Sequence, residues 1–130
     1  MAVNPYRQYQ QNQIETADQA TLILMMYDGA LKFIRQAKEA IRNRDIMGAH
    51  RSINRAQDVT VELMCSLNTD AGEVATNLFR LYEYAYHQLK EANLQKAEGP
   101  AEEAEKVFAS LRESWEYLAK GEAENVSAGS

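Results

Sequence analysis

The chain is poor in the residues that interrupt helices and in those that bind metals. Its 130 residues include one cysteine, two prolines, six glycines and two histidines. A lone Cys65 forms no intrachain disulfide, so nothing points to an oxidising compartment. The histidines, His50 and His87, have no glutamate three residues before them, which argues against a di-iron bundle centre. No nucleophile motif, phosphate loop or Cys/His ligand spacing is present, so neither a metal nor a cofactor is expected. No apolar run approaches the roughly 18 residues of a membrane span. The first residues also lack the apolar stretch of a signal peptide, and a cytoplasmic location is expected. Basic residues are the minority, 14 against 19 acidic, for a net charge of −5. An acidic chain without a long basic stripe is a poor binder of nucleic acid or anionic membrane.

What is present is helical apolar periodicity. Leu22–Ile41 is the most apolar stretch. On a helix its apolar side chains sweep roughly 260°, leaving Asp28, Lys32, Arg35 and Glu39 on a narrow strip. A helix covering one side of a small bundle needs only a stripe of roughly 100° or somewhat more. Either this helix sits at the centre of the fold, or part of its surface serves another chain.

Asp18 is placed to cap the first helix and Asp45 the second, which is expected from about Ile46 to Leu67. Asp70 and Glu73 have capping-box spacing for a third, Glu73 to Leu94. Its core stripe is Val74, Leu78, Leu81, Ala85, Leu89 and Ala92, with an aromatic row, Phe79, Tyr82 and Tyr86, beside it and Tyr84 at the other edge. Gly99-Pro100 opens the fourth helix, with the stripe Ala104, Val107/Phe108, Leu111, Trp115 and Leu118. The organisation expected is a flexible arm over 1–17, an all-α, antiparallel up-down four-helix bundle over 18–120, and a disordered tail over 121–130.

Two candidate functions remain at this level. His87-Gln88-Leu89-Lys90 matches the first four positions of the H-x-x-K-G phosphotransfer context, but Glu91 stands where glycine is wanted. The wide apolar arcs of the first and third helices suit a groove for a partner's amphipathic helix. Equally, those two helices could lie diagonally and bury their surface within the bundle, or form a homodimer seam without a client. In the arm, Tyr6 and Tyr9 share one face of a helical turn, and either tuck against the bundle or act as a docking peptide.

Ile14-Glu15-Thr16-Ala17 followed by Leu22-Ile23-Leu24-Met25-Met26-Tyr27-Asp28-Gly29-Ala30 resembles the signature of the FliS family of flagellar secretion chaperones. So do Ser66-Leu67-Asn68 with Gly72–Tyr84, Glu91–Leu94 and Leu111–Trp115, in order over residues 6 to about 118. The resemblance implies a non-enzymatic helical bundle in the bacterial cytoplasm that holds the C-terminal helical segment of flagellin. It would prevent premature polymerisation and aid delivery to the type III export gate. It points to Ile23, Tyr27, Asp28, Leu31, Asn77, Leu78, Leu81, Tyr82 and Tyr84 for flagellin binding. It also implies a gate-docking arm bearing Tyr6, Tyr9 and Ile14, the arm covering the empty groove, and an anti-sigma or flagellar assembly factor as a further partner. Asp18-Gln19 stands where the family usually has Ser-Pro, and Ala71-Gly72 where it often has Gly-Gly.

Overall fold

In the computed structural model, residues 19–68, 70 and 72–128 are described, with side chains through residue 120. Among these residues four helices follow one another: α1 (Gln19–Arg42), α2 (Ile46–Cys65), α3 (Glu73–Gln95) and α4 (Glu98–Ala128). The bundle expectation holds. Each helix packs on its chain neighbours, and α4 closes the ring on α1, so that α1 faces α3 across the diagonal and α2 faces α4. The α4 backbone continues to Ala128, past residue 120 where the bundle was expected to end. Asp18 and residues 1–17, with the arm read there, lie outside the described residues.

The short connections explain the antiparallel packing. After α1, Arg44 takes the left-handed conformation (φ 57°), and the Asp45 N–H donates to the Ala40 carbonyl at 2.8 Å. This closes the helix in the manner usually reserved for glycine. Asp45 then caps α2 as expected, its carboxylate accepting from the Gly48 N–H at 2.9 Å. That carboxylate lies close to where a β-carbon on residue 48 would stand, so a larger residue there would have to displace the cap. Lys96 (φ 50°) repeats the device after α3, with the Ala97 N–H donating to the Ala92 carbonyl at 3.2 Å. Pro100 falls in the first turn of α4, where its missing N–H costs nothing.

One cap differs from the expectation. Gly72, not Asp70, precedes α3, and no side chain caps that helix. The Asp70 N–H instead donates to Asn68 Oδ1, an Asx turn that takes the chain out of capping geometry. Gly72 has φ 125°, open essentially only to glycine, and its carbonyl accepts from the Thr76 hydroxyl at 3.2 Å.

The core alternates small and large residues. Ala30, Ala37, Ala49, Ala56, Ala85, Ala92, Ala101 and Ala104 are fully buried and let the helices approach closely. Between them stand Tyr27, Ile34, Ile53, Leu63, Tyr82, Leu89 and Phe108. Most of the broad apolar arc of α1 is consumed here, with Leu24, Met25, Phe33 and Ile41 left half-buried. No large exposed apolar side chain among the described residues belongs to α1. Of the readings open at the sequence level, the diagonal arrangement is the one observed for α1 and α3.

Candidate client-binding seam

Two tyrosines tie the diagonal helices together. Tyr27 of α1 and Tyr82 of α3 share a hydroxyl–hydroxyl hydrogen bond of 2.6 Å in the core. Phe108 and Trp115 of α4 pack around Tyr27 at ring-centre distances of 6.1 and 5.7 Å, the indole edge-on. Burial raises both phenol pKa values above the ordinary range, and in Tyr27 the hydrogen bond shared with Tyr82 adds to the effect. These hydroxyls stay protonated and satisfy one another.

The residues singled out for flagellin binding therefore divide. Ile23, Tyr27, Leu31, Leu78 and Tyr82 lie in the core. Asp28 is exposed, but the guanidinium of Arg112 on α4 donates to it. Asn77, Leu81 and Tyr84 are brought together on the outer face of α3, with Leu81 41% and Tyr84 43% exposed. Val74 extends this row at helical spacing and is 74% exposed, although periodicity alone places it in the core stripe. It lies in the first turn of α3, where the neighbouring helices give less cover.

Polar contacts show which way this row faces. Asn93 of α3 bonds His50 of α2 at 2.9 Å, which turns the Asn93 edge toward α2. Leu81, Asn77 and Tyr84 lie on the opposite side of the core stripe, toward α4. On α4, Glu98, Glu105 and Arg112 bond to α1. Val107, Leu111 and Leu118 occupy the other edge, toward α3. Counting outward from the Lys96–Ala97 turn sets Leu81 level with Leu111, and Val74 level with Leu118. Leu118 is 52% exposed, while Leu111 and Val107 are half-buried against the core. The α3/α4 seam is thus an apolar furrow with Leu78 at its floor, and no ion pair crosses it among the described residues.

The α1/α4 seam has the opposite character. Arg35 and Lys38 both reach Glu105, at 3.0 and 2.9 Å, and Arg42 reaches Glu98 at 2.7 Å. Burial pushes the Glu105 carboxyl up, but the bonds from Lys38 and Arg35 outweigh it and hold the group below its ordinary value. The Glu105 bond likewise raises Lys38, and the Asp28 bond raises Arg112.

His87, the residue of the phosphotransfer reading, is exposed on α3, edge-on to Tyr86 at 6.1 Å. Among the described residues no three His, Cys, Asp or Glu side chains are grouped to hold a metal, and no helix is long and apolar enough to cross a membrane.

Comparison with known proteins fits this architecture. The family model for flagellar protein FliS matches residues 2–122. The chain is 36% identical to the flagellar secretion chaperone FliS of Bacillus subtilis, over 92% of this chain and 89% of that protein. It is 36% identical to the chaperone of the same name from Campylobacter jejuni, over 90% and 92% of the two chains. A solved structure described as a flagellar chaperone from bacteria has the same fold, with a TM-score of 0.73 and 19% identity over 92% of this chain and 95% of that one. The family is non-enzymatic, which removes the phosphotransfer reading of His87. By the extent of the family match and by these relatives, the chain belongs to the FliS family of flagellar secretion chaperones.

Proposed function

We propose that this protein binds the C-terminal helical segment of flagellin in the α3/α4 seam, in the bacterial cytoplasm, and keeps it from polymerising before export. The observation that carries this reading is the exposed row Val74, Asn77, Leu81 and Tyr84, facing Leu111 and Leu118 across a furrow free of ion pairs. An amphipathic helix laid there would bury apolar side chains on both walls. Tyrosine suits the rim, because its ring packs while its hydroxyl stays wet. The core residues Tyr27, Leu31, Leu78 and Tyr82 act from beneath, by fixing the positions of α3 and α4. Asp28 acts through Arg112, the pair tying α4 to α1. The arm bearing Tyr6, Tyr9 and Ile14 serves docking to the export gate.

Calorimetry against flagellin with and without its C-terminal segment tests the central claim. Binding that disappears on truncation, with a large negative heat-capacity change, is the expected result for a segment that folds as it buries apolar surface. Equal binding of both forms would remove the segment from the interface. The double variant Tyr6→Ala/Tyr9→Ala should keep flagellin binding and lose co-sedimentation with the cytoplasmic part of the gate; undiminished co-sedimentation would end the docking role.

A further inference from the structure

The start of α2 and the end of α3 meet at the end of the bundle farthest from Val74 and Leu118. Three large apolar side chains are left in solvent there: Ile46 at 63%, Met47 at 70% and Leu94 at 71% exposure. They flank one inter-helix contact, for Met47 lies one turn before His50, and Leu94 follows Asn93, its bonded partner on α3.

On the α2 side the charge around them is mostly positive. Between residues 42 and 57 the chain carries Arg42, Arg44, Arg51 and Arg55 against Asp45 alone, within a protein of net charge −5. Asp45 is engaged with the Gly48 N–H, Arg42 with Glu98, and Arg55 stacks over the Phe33 ring. Arg44, Arg51 and, one turn before Leu94, Lys90 make no ion pair among the described residues. Glu91, the nearest carboxylate on α3, accepts from Gln95 and lies round the helix toward α4. Unpaired cations around exposed apolar side chains complement a segment with an apolar face and carboxylates beside it.

We propose that this end of the bundle is a second docking surface, distinct from the α3/α4 seam, for an acidic amphipathic segment of a partner protein. Its apolar contacts are Ile46, Met47 and Leu94, and its cations are Arg44, Arg51 and Lys90. A partner seated there leaves the seam free, so both can be occupied together.

The test uses the full chain and two fluorescein-labelled synthetic helices. Both carry leucine at i, i+3, i+4 and i+7; one has glutamate at the remaining positions and the other lysine. Fluorescence anisotropy should show the glutamate helix binding at least tenfold more tightly than the lysine helix, and more weakly as salt rises. The variant Met47→Glu/Arg51→Glu/Leu94→Glu should lose tenfold or more of that affinity while keeping its flagellin binding and helical circular dichroism. Leu81→Asp, in the seam, should leave the glutamate helix bound. Equal affinity for the two helices, or loss through Leu81→Asp but not through the triple variant, would overturn the proposal. Capture of phosphatidylglycerol vesicles abolished by the triple variant would assign the surface to a membrane instead. A dimer in sedimentation that the triple variant dissolves would assign it to a second copy. Retained flagellin binding by the triple variant separates failure here from failure of the seam.

Discussion

The two seams that flank α4 differ in what a partner would find. Toward α1, Glu98, Glu105 and Arg112 are all engaged with side chains of α1. An incoming helix would have to displace hydrogen-bonded ions there. Toward α3, Leu81, Tyr84 and Leu118 stand partly in solvent, and among the described residues no ion pair must be broken to cover them. The open seam is where association can gain most from removing apolar surface from water. The closed seam gains little net stability from its exposed ions but fixes how α1 and α4 sit. One helix thus carries a clamp on one edge and a partly exposed apolar wall on the other.

That contrast can be broken most forcefully from inside. Leu31→Asp and Tyr82→Asp place a carboxylate at sites that are 3% and 1% exposed. Each should cost on the order of 4 kcal/mol or more, enough to unfold a domain of this size. Leu81→Asp and Tyr84→Asp, one residue before and two after Tyr82, should shift stability by about 1 kcal/mol or less and weaken flagellin binding tenfold or more. Thermal melts paired with calorimetry separate the two classes. A folded Tyr82→Asp, or full affinity in both seam variants, would dissolve the distinction between support and contact.

The diagonal tyrosine pair gives a finer test. Tyr82→Phe leaves the Tyr27 hydroxyl buried without its partner and should cost about 1–3 kcal/mol. The double variant Tyr27→Phe/Tyr82→Phe strands no polar group and should be more stable than the sum of the single changes implies. Additive losses in denaturant unfolding would mean that the bond contributes no coupling.

The smallest effect belongs to the clamp. The Glu105 carboxyl titrates below its ordinary value in the folded protein, so its stabilisation is complete above the usual carboxylate range and is lost as pH falls through the lowered value. Glu105→Gln should cost about 0.5–1 kcal/mol near neutrality, since the group is partly exposed, and should converge with the parent in acid. A difference that stays constant into acid would assign the loss to packing.

Much of this was legible in the chain. Apolar spacing marks all four helices, and Asp45 and Pro100 mark their starts, because these are local effects a short window contains. Asp70 misleads because Asn68 competes for its N–H, and Gly72 supplies a φ that other residues avoid. Periodicity alone also fails at Val74 and Leu118. Both lie on core stripes, yet both stand near the end of the seam, where cover depends on neighbouring helices. Most telling is α1, whose broad apolar arc reads as surplus until its partners are known. With α2 and α4 on its flanks and Tyr82 reaching it across the diagonal, most of the surplus is buried. The exposed apolar side chains of the proposed seam are instead on α3 and α4, and the choice between a wall and a core position turns on a rotation of about a third of a turn or less.

The chain has a single tryptophan, and it sits at a useful place. Trp115 is half-buried, touches the core cluster, and stands edge-on to Tyr27, on the helix that forms one wall of the furrow. Indole emission from this protein therefore comes from one side chain at the junction of the interior and the proposed binding wall. It is a label already installed: a client settling against α4 changes the light before any dye is attached.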